Sequence, residues 1–280
     1  LRVGVIRAVS NSSPATRNLA AAMMKAAELA LYDSGSRDIV LKTADDSAKP
    51  EEAANAARKL LGQGAEVIIT GRRKAAVDAA AAELGVTGML ADQGSLPAIE
   101  HLAAAVKAQS GKIDILFINA GVLGGADIEN ATEEVFDSVI GVNFKGAFFT
   151  LSRFIPLLND GASVVFLSSN TASMNVANSS IYSSGKAALN AVMKIAAVEL
   201  APRRIRVNAV SPGPVETEIL HKHGYNDEQL KGVKAWIMER VPLGHMGKAG
   251  DIGKMVAHLC RDESSFITGA EFLMDGGMSL

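Results

Sequence analysis

Tyr182 and Lys186 stand four residues apart in the stretch from Ser168 to Lys186, SSNTASMNVANSSIYSSGK, which opens a long alanine-rich helical run. On a helix that spacing puts both side chains on one face, about one turn from each other. An ammonium held near a phenol favours the phenolate and brings a tyrosine pKa down from its usual ~10 toward the range of a working general acid or base. Ser169 lies thirteen residues before Tyr182, just after the apolar run Ala162-Ser163-Val164-Val165-Phe166-Leu167. Such a run reads as a buried strand, and a hydroxyl at its end can hydrogen-bond the oxygen that the tyrosine protonates. The Tyr/Lys pair alone is not diagnostic, because these residues at helical spacing usually belong to a solvated or half-buried face. Its neighbours make it informative.

Asn119-Ala120-Gly121 follows the apolar run Ile113 to Ile118, Asn143 lies in GVNFKG, Pro212-Gly213 follows the strand-like Ile205 to Val210, and the chain closes with ITGAEFLMDGG. With these motifs in this order, the sequence from about Gly64 to the C-terminus resembles the short-chain dehydrogenase/reductase family. The resemblance implies Tyr182 as proton donor or acceptor, Lys186 as its pKa-lowering partner and nicotinamide-ribose ligand, Ser169 as stabiliser of the substrate oxygen, and Asn143 as part of a proton relay. It implies that Asn119, Ala120 and Gly121 shape the cofactor crevice, with Asp92, Pro212, Gly213 and Thr217 as further cofactor contacts. Arg72 and Arg73 follow a strand where an NAD-preferring fold carries an acidic residue, so the resemblance leans to NADP over NAD. The implied substrate is a small carbonyl compound or secondary alcohol. The segment from Val215 to Arg240, with Trp236, Ile237 and Met238, is expected to form a lid over it.

These residues need elements to hold them. Residues 3–9 read as a strand, Ser13 and Pro14 start a helix that Gly35 closes, and a second strand follows at about Ile39 to Ala44. Another helix opens at Pro50 and ends at Gly62 and Gly64, and a third strand runs from Glu66 to Thr70 into Gly71-Arg72-Arg73 and a helix to about Leu84. Strand and helix then alternate to the end, which predicts an α/β fold: a doubly wound, mostly parallel Rossmann-like sheet of seven or eight strands, in one domain over residues 1–280. Helices from about Thr132 to Leu158 and from Tyr182 to Leu200 correspond to the family's dimer interface. With the stripe Phe148, Phe149, Leu151 and Phe154, they predict a homodimer or homotetramer.

The first sixty or so residues do not fit. A dinucleotide fold of this family opens with a strand and a TGxxxGxG turn, whose glycines let the backbone approach a pyrophosphate. No such turn exists here, and Gly62-x-Gly64 precedes its strand as a helix end. Residues 1 to about 70 resemble instead the opening βαβαβ of type I periplasmic binding proteins, so the chain reads as a chimera joined near GAEVIITG. Two consequences are expected. Residues 39–44 either insert as an extra strand beside the central one, the preferred arrangement, or take the central place and send strand 3–9 elsewhere; insertion moves Asn119 by about one strand spacing, ~4.8 Å. Nucleotide binding becomes weak or undetectable and turnover small, and a folded but inactive chimera is the alternative to an enzyme.

Composition excludes other classes. A net charge of -2 gives no sign of a nucleic-acid partner, and no apolar run reaches the ~18–20 residues of a membrane span. Cys260 is the single cysteine, so disulfides within the chain and thiolate metal clusters are impossible, and a cytoplasmic location is expected. No leader segment is visible at Leu1. His221 and His223 are read as part of a polar loop, with no metal site.

Overall fold

In the computed structural model, residues 2–6, 66–216 and 227–280 are described. They build one parallel sheet of seven strands in the order β3-β2-β1-β4-β5-β6-β7. The strands are β1 (Arg2–Ile6), β2 (Glu66–Gly71), β3 (Thr87–Leu90), β4 (Ile113–Ile118), β5 (Leu158–Leu167), β6 (Arg206–Pro212) and β7 (Glu271–Met274). The connecting helices are α1 (Lys74–Leu84), α2 (Leu96–Ser110), α3 (Glu133–Ile140), α4 (Ala147–Phe154), α5 (Ser180–Leu200), α6 (Asp227–Arg240) and α7 (Ala249–Leu259). The order turns back on itself at β1/β4, the point at which doubly wound sheets open a crevice beyond their carboxyl ends.

The placement of β1 corrects one expectation. It pairs directly with β2, Gly4 opposite Ile68, and directly with β4, Ile6 opposite Ile118. Each strand edge accepts one neighbour, so no strand from residues 39–44 lies between β1 and β4 or displaces β1 from the centre. Those residues themselves lie outside the described ones, as do 7–65 generally. The one-strand displacement expected for Asn119 therefore falls away.

Strand residues alternate between two covered faces, the signature of a sheet sandwiched by helices. Val164 and Phe166 of β5 point into a cluster with Leu102 and Val106 of α2, Leu151 and Phe154 of α4, and Leu189 and Met193 of α5. On the other face, Ser163 of β5 donates its hydroxyl to Leu259 O of α7 at 3.0 Å, and Val165 is fully buried. Local signals start and stop these helices. Ser95 Oγ accepts from Ala98 N ahead of Pro97 in α2, and Thr132 Oγ1 accepts from Val135 N in α3. Gly85, in the left-handed region at φ 62°, ends α1.

The single helix expected from Thr132 to Leu158 is broken. Between α3 and α4 the stretch Gly141–Gly146 winds as a π-helix, and Ile155–Leu157 tightens into a 3-10 turn before β5 begins at Leu158. The proposed stripe divides accordingly. Leu151 and Phe154 belong to the chain's own core, while Phe148 is 43% exposed.

Candidate active site

The carboxyl ends of the parallel strands gather most of the candidate residues along one edge of the sheet. Arg72 and Arg73 follow β2, Asp92 follows β3, Asn119 to Gly121 follow β4, Ser169 follows β5, and Pro212 ends β6 with Gly213 next. Two helical elements complete the group: the π-helical stretch supplies Asn143, and α5 supplies Tyr182 and Lys186. Thr217 lies outside the described residues, as do His221 and His223.

Ser169 caps the 3-10 turn Asn170–Ala172, its Oγ accepting from Thr171 N at 3.3 Å and from Thr171 Oγ1 at 3.0 Å. That hydroxyl also hydrogen-bonds the Tyr182 side chain. Two turns of chemistry meet here: a capped loop fixes the serine, and a helix presents the phenol to it. Lys186, one turn further along α5, places Nζ 5.7 Å from the centre of the Tyr182 ring and donates to Leu167 O at 2.7 Å. Asn143 is completely buried; its Nδ2 donates to Val122 O and its Oδ1 accepts from Val122 N, both at 2.8 Å. Gly121 sits between these groups: a Cβ there would stand 3.2 Å from Asn143 Oδ1 and 3.8 Å from Lys186 Nζ.

The electrostatics differ from the expectation of a lowered tyrosine pKa. Burial raises the Tyr182 pKa above its ordinary value, and the hydrogen bond with Ser169 opposes that rise without reversing it. Burial pulls Lys186 down to about 8, since its ammonium is desolvated with a carbonyl oxygen as its hydrogen-bond partner among the described residues. The lysine ammonium lies beside the ring face rather than on the phenolic oxygen, so it does not overcome desolvation. At neutral pH the phenol is protonated and the lysine charged.

The nucleotide side is mixed. Asn119 Oδ1 is buried with no hydrogen-bond partner among the described residues, at the carboxyl end of β4 beside the crevice. Gly213 has no room for a side chain, since a Cβ would stand 2.4 Å from Asp275 Cβ, and its N–H donates to Met274 O. Arg72 pairs with Asp92 at 3.7 Å, and Asp92 Oδ1 accepts from Gly94 N. Arg73 holds the position before the first turn of α1. The residues at the nicotinamide and ribose end thus fit a dinucleotide. After β1 the sequence has no glycine until Gly35, so the residues that follow β1, which lie outside the described ones, carry no glycine-rich motif of the kind that lets a backbone approach a pyrophosphate.

The lid region is represented by α6. Ile237 is buried with Val241 and Met246, while Trp236 stands largely in solvent with Arg240 over its ring. Two residues near the site were not singled out from the sequence. Gln93 is buried behind the crevice and donates to Ala120 O and Val142 O, and Gly125 packs so closely on Asn178 O that a Cβ would meet it at 2.1 Å. The glycine-rich run VLGGAD hinted at the second; nothing in the local sequence marked the first.

A family model described as enoyl-(acyl carrier protein) reductase matches residues 53–279. Oxidoreductase asL5 of Sarocladium schorii is 34% identical over 229 residues, covering 80% of this chain and 90% of that protein. Human dehydrogenase/reductase SDR family member 4 is 33% identical over 229 residues, covering 79% and 81%. The chain belongs to the short-chain dehydrogenase/reductase family. Among solved structures, a blue fluorescent protein from a metagenomic library, in complex with NADPH, superposes with a TM-score of 0.71 at 25% identity, covering 81% of this chain and 94% of that one. Membership makes the chain an oxidoreductase of the short-chain dehydrogenase/reductase type. No helix among the described residues is long and apolar enough to cross a membrane, and they contain no cluster of side chains suited to a metal ion.

Proposed function

We propose that the protein is an NADP- or NAD-dependent reductase of small carbonyl compounds, with a complete proton-transfer group and a weakened grip on its cofactor. The observation that carries this reading is the convergence of Ser169, Tyr182, Lys186 and Asn143 at the crevice. A bound nicotinamide would supply or take up the hydride, held at its ribose end by Lys186 and beside Asn119, Pro212 and Gly213. Everything else falls to the protein. Ser169 donates a hydrogen bond to the carbonyl oxygen and orients it. Tyr182 gives that oxygen its proton as negative charge develops, and the new C–H and O–H bonds make a secondary alcohol. The raised Tyr182 pKa keeps the phenol in its donating form through neutral pH. The Lys186 ammonium, close to the ring, stabilises the phenolate left behind, and Asn143 lies on the route by which a proton returns. Arg72 and Arg73 favour NADP, and the NADPH complex of the structural relative supports that choice.

The weakness lies in the segment that precedes β2. The family match begins at residue 53, and the lack of a glycine turn in the sequence before it supports a replacement of the first βα unit by residues 1 to about 70, similar to a periplasmic binding protein. Such a chimera keeps the sheet and loses the glycine turn. Exposed Phe148, Ile195 and Val198 favour a homodimer or homotetramer, and the single cysteine favours a cytoplasmic setting. A second reading, a folded chimera without activity, is favoured by the missing turn alone. Reduction of a generic ketone at millimolar NADPH separates the two. The proposal expects slow turnover that falls about 10²–10⁴-fold in Tyr182→Phe; no Tyr182-dependent turnover at any NADPH concentration supports the inactive reading.

A further inference from the structure

Gln93 occupies the loop between β3 and α2, directly after Asp92, and is 1% exposed. Its single Nε2 carries two hydrogens, and each has a target: Val142 O at 2.9 Å and Ala120 O at 3.3 Å. Ala120 belongs to the segment leaving β4, and Val142 to the π-helical stretch. The next contact between the same two segments is the Asn143–Val122 pair, with both bonds at 2.8 Å. Ala120 to Val142 and Val122 to Asn143 are therefore consecutive ties between one strand end and one π-helical turn, and Gln93 forms the first of them.

The packing around Gln93 holds its Nε2 end against both carbonyls, while its Oε1 is buried without a hydrogen-bond partner among the described residues. A Cβ on Gly146, the last residue of the π-helical stretch, would stand 2.0 Å from Gln93 O and 2.8 Å from Gln93 Cγ, and a Cβ on Gly94 would stand 3.3 Å from Val142 Cγ2. The backbone of one segment rests on the other with no room for a side chain. Among uncharged side chains, only a primary amide puts two donor hydrogens on one nitrogen, and burial excludes the charged alternatives, whose cost without a counter-ion is several kcal/mol.

We infer that Gln93 is a positioning residue: through Val142 and Ala120 it sets where Asn143 stands relative to Asn119–Gly121, and so links the cofactor crevice to the proton relay. What Asn143 does in turnover rests on the proposed function; the placement itself does not. Removing the amide loosens two buried hydrogen bonds, each of the size that changes an equilibrium by a few-fold to tenfold.

The test is amide hydrogen exchange resolved at Val122, whose N–H donates to Asn143 Oδ1, in the wild type and in Gln93→Met. The inference expects exchange at Val122 to quicken about tenfold or more, with the β4 and β5 ladder amides, such as Leu116 and Val165, unchanged. Unchanged exchange at Val122 overturns it. A uniform loss of protection across β4 and β5 also overturns it, by making Gln93 a general core residue. Should Gln93→Met fail to fold, Gln93→Glu keeps the shape, leaves at most one hydrogen to donate, and is read by the same criterion. In wild-type protein that turns over, Gln93→Met lowers kcat about tenfold with the carbonyl KM unchanged; a raised KM at constant kcat overturns the link to the relay. Wild-type protein without turnover refutes the proposed function and leaves the Val122 result to decide this inference.

Discussion

Replacing Lys186 by Met separates the cost of the site from its use. Lys186 is 3% exposed and its ammonium has one carbonyl oxygen as hydrogen-bond partner among the described residues, and its pKa falls from 10.5 to about 8. A base whose folded pKa lies below its unfolded value binds fewer protons when folded. Its burial therefore costs stability in full below pH 8, and the cost is relieved as pH rises from about 8 toward 10.5. The full cost is on the order of 3 kcal/mol, from ~1.4 kcal/mol per pKa unit. Lys186→Met removes that cost but leaves Leu167 O without its donor, which takes back about 1–3 kcal/mol. The net change at pH 7 is thus small, and the informative quantity is its pH dependence. Urea unfolding of both proteins at half-unit steps from pH 7 to 9.5 isolates it, because the buried thiol of Cys260, pushed up to about 12, titrates alike in both. The wild type should gain about 2 kcal/mol on Lys186→Met between pH 8 and 9.5, with no relative change below 7.5. Parallel curves across the whole range refute the reasoning, since they mean that the lysine is solvated or paired with a carboxylate.

Two further outcomes follow from the packing. Gly146→Ala, whose Cβ would fall 2.0 Å from Gln93 O, should lose at least about 2 kcal/mol in urea unfolding; wild-type stability would show that the π-helical stretch is not held against Gln93. The wild type should scatter light as a multiple of its 29.2 kDa chain, through the exposed Phe148 of α4 and Ile195 and Val198 of α5. Phe148→Asp should shift it toward single chains, and a stable monomer of the wild type at micromolar concentration contradicts the expected association.

Most of the candidate site was legible in the sequence because its residues sit at boundaries that composition marks. Asn119, Ser169 and Pro212 each end an apolar run, and in a parallel sheet all such ends lie on one side. Tyr182 and Lys186 carry their own register, since α5 is continuous and four residues make one turn. The rest depended on tertiary detail. The neighbours of β1 follow from pairing across the chain, and no local pattern in the sequence decided between them. The π-helical turn at GVNFKG adds a residue per turn without changing the residue types that fill it. The rise in the Tyr182 pKa comes from desolvation of a partly buried phenol, and helical spacing says nothing about how much water a side chain loses. Leu151 and Phe154 look like their neighbour Phe148 in composition, yet only packing shows that they face the core.

The most direct measurement is the rate of NADPH oxidation against a generic ketone as NADPH is raised from micromolar to millimolar, in wild type and Tyr182→Phe. With the proton-transfer group assembled and the glycine turn missing, the wild-type rate should rise without saturating below ~1 mM NADPH, a binding free energy weaker than about 4 kcal/mol, and should vanish in Tyr182→Phe. Saturation at low micromolar NADPH, or a rate indifferent to Tyr182→Phe, contradicts the account.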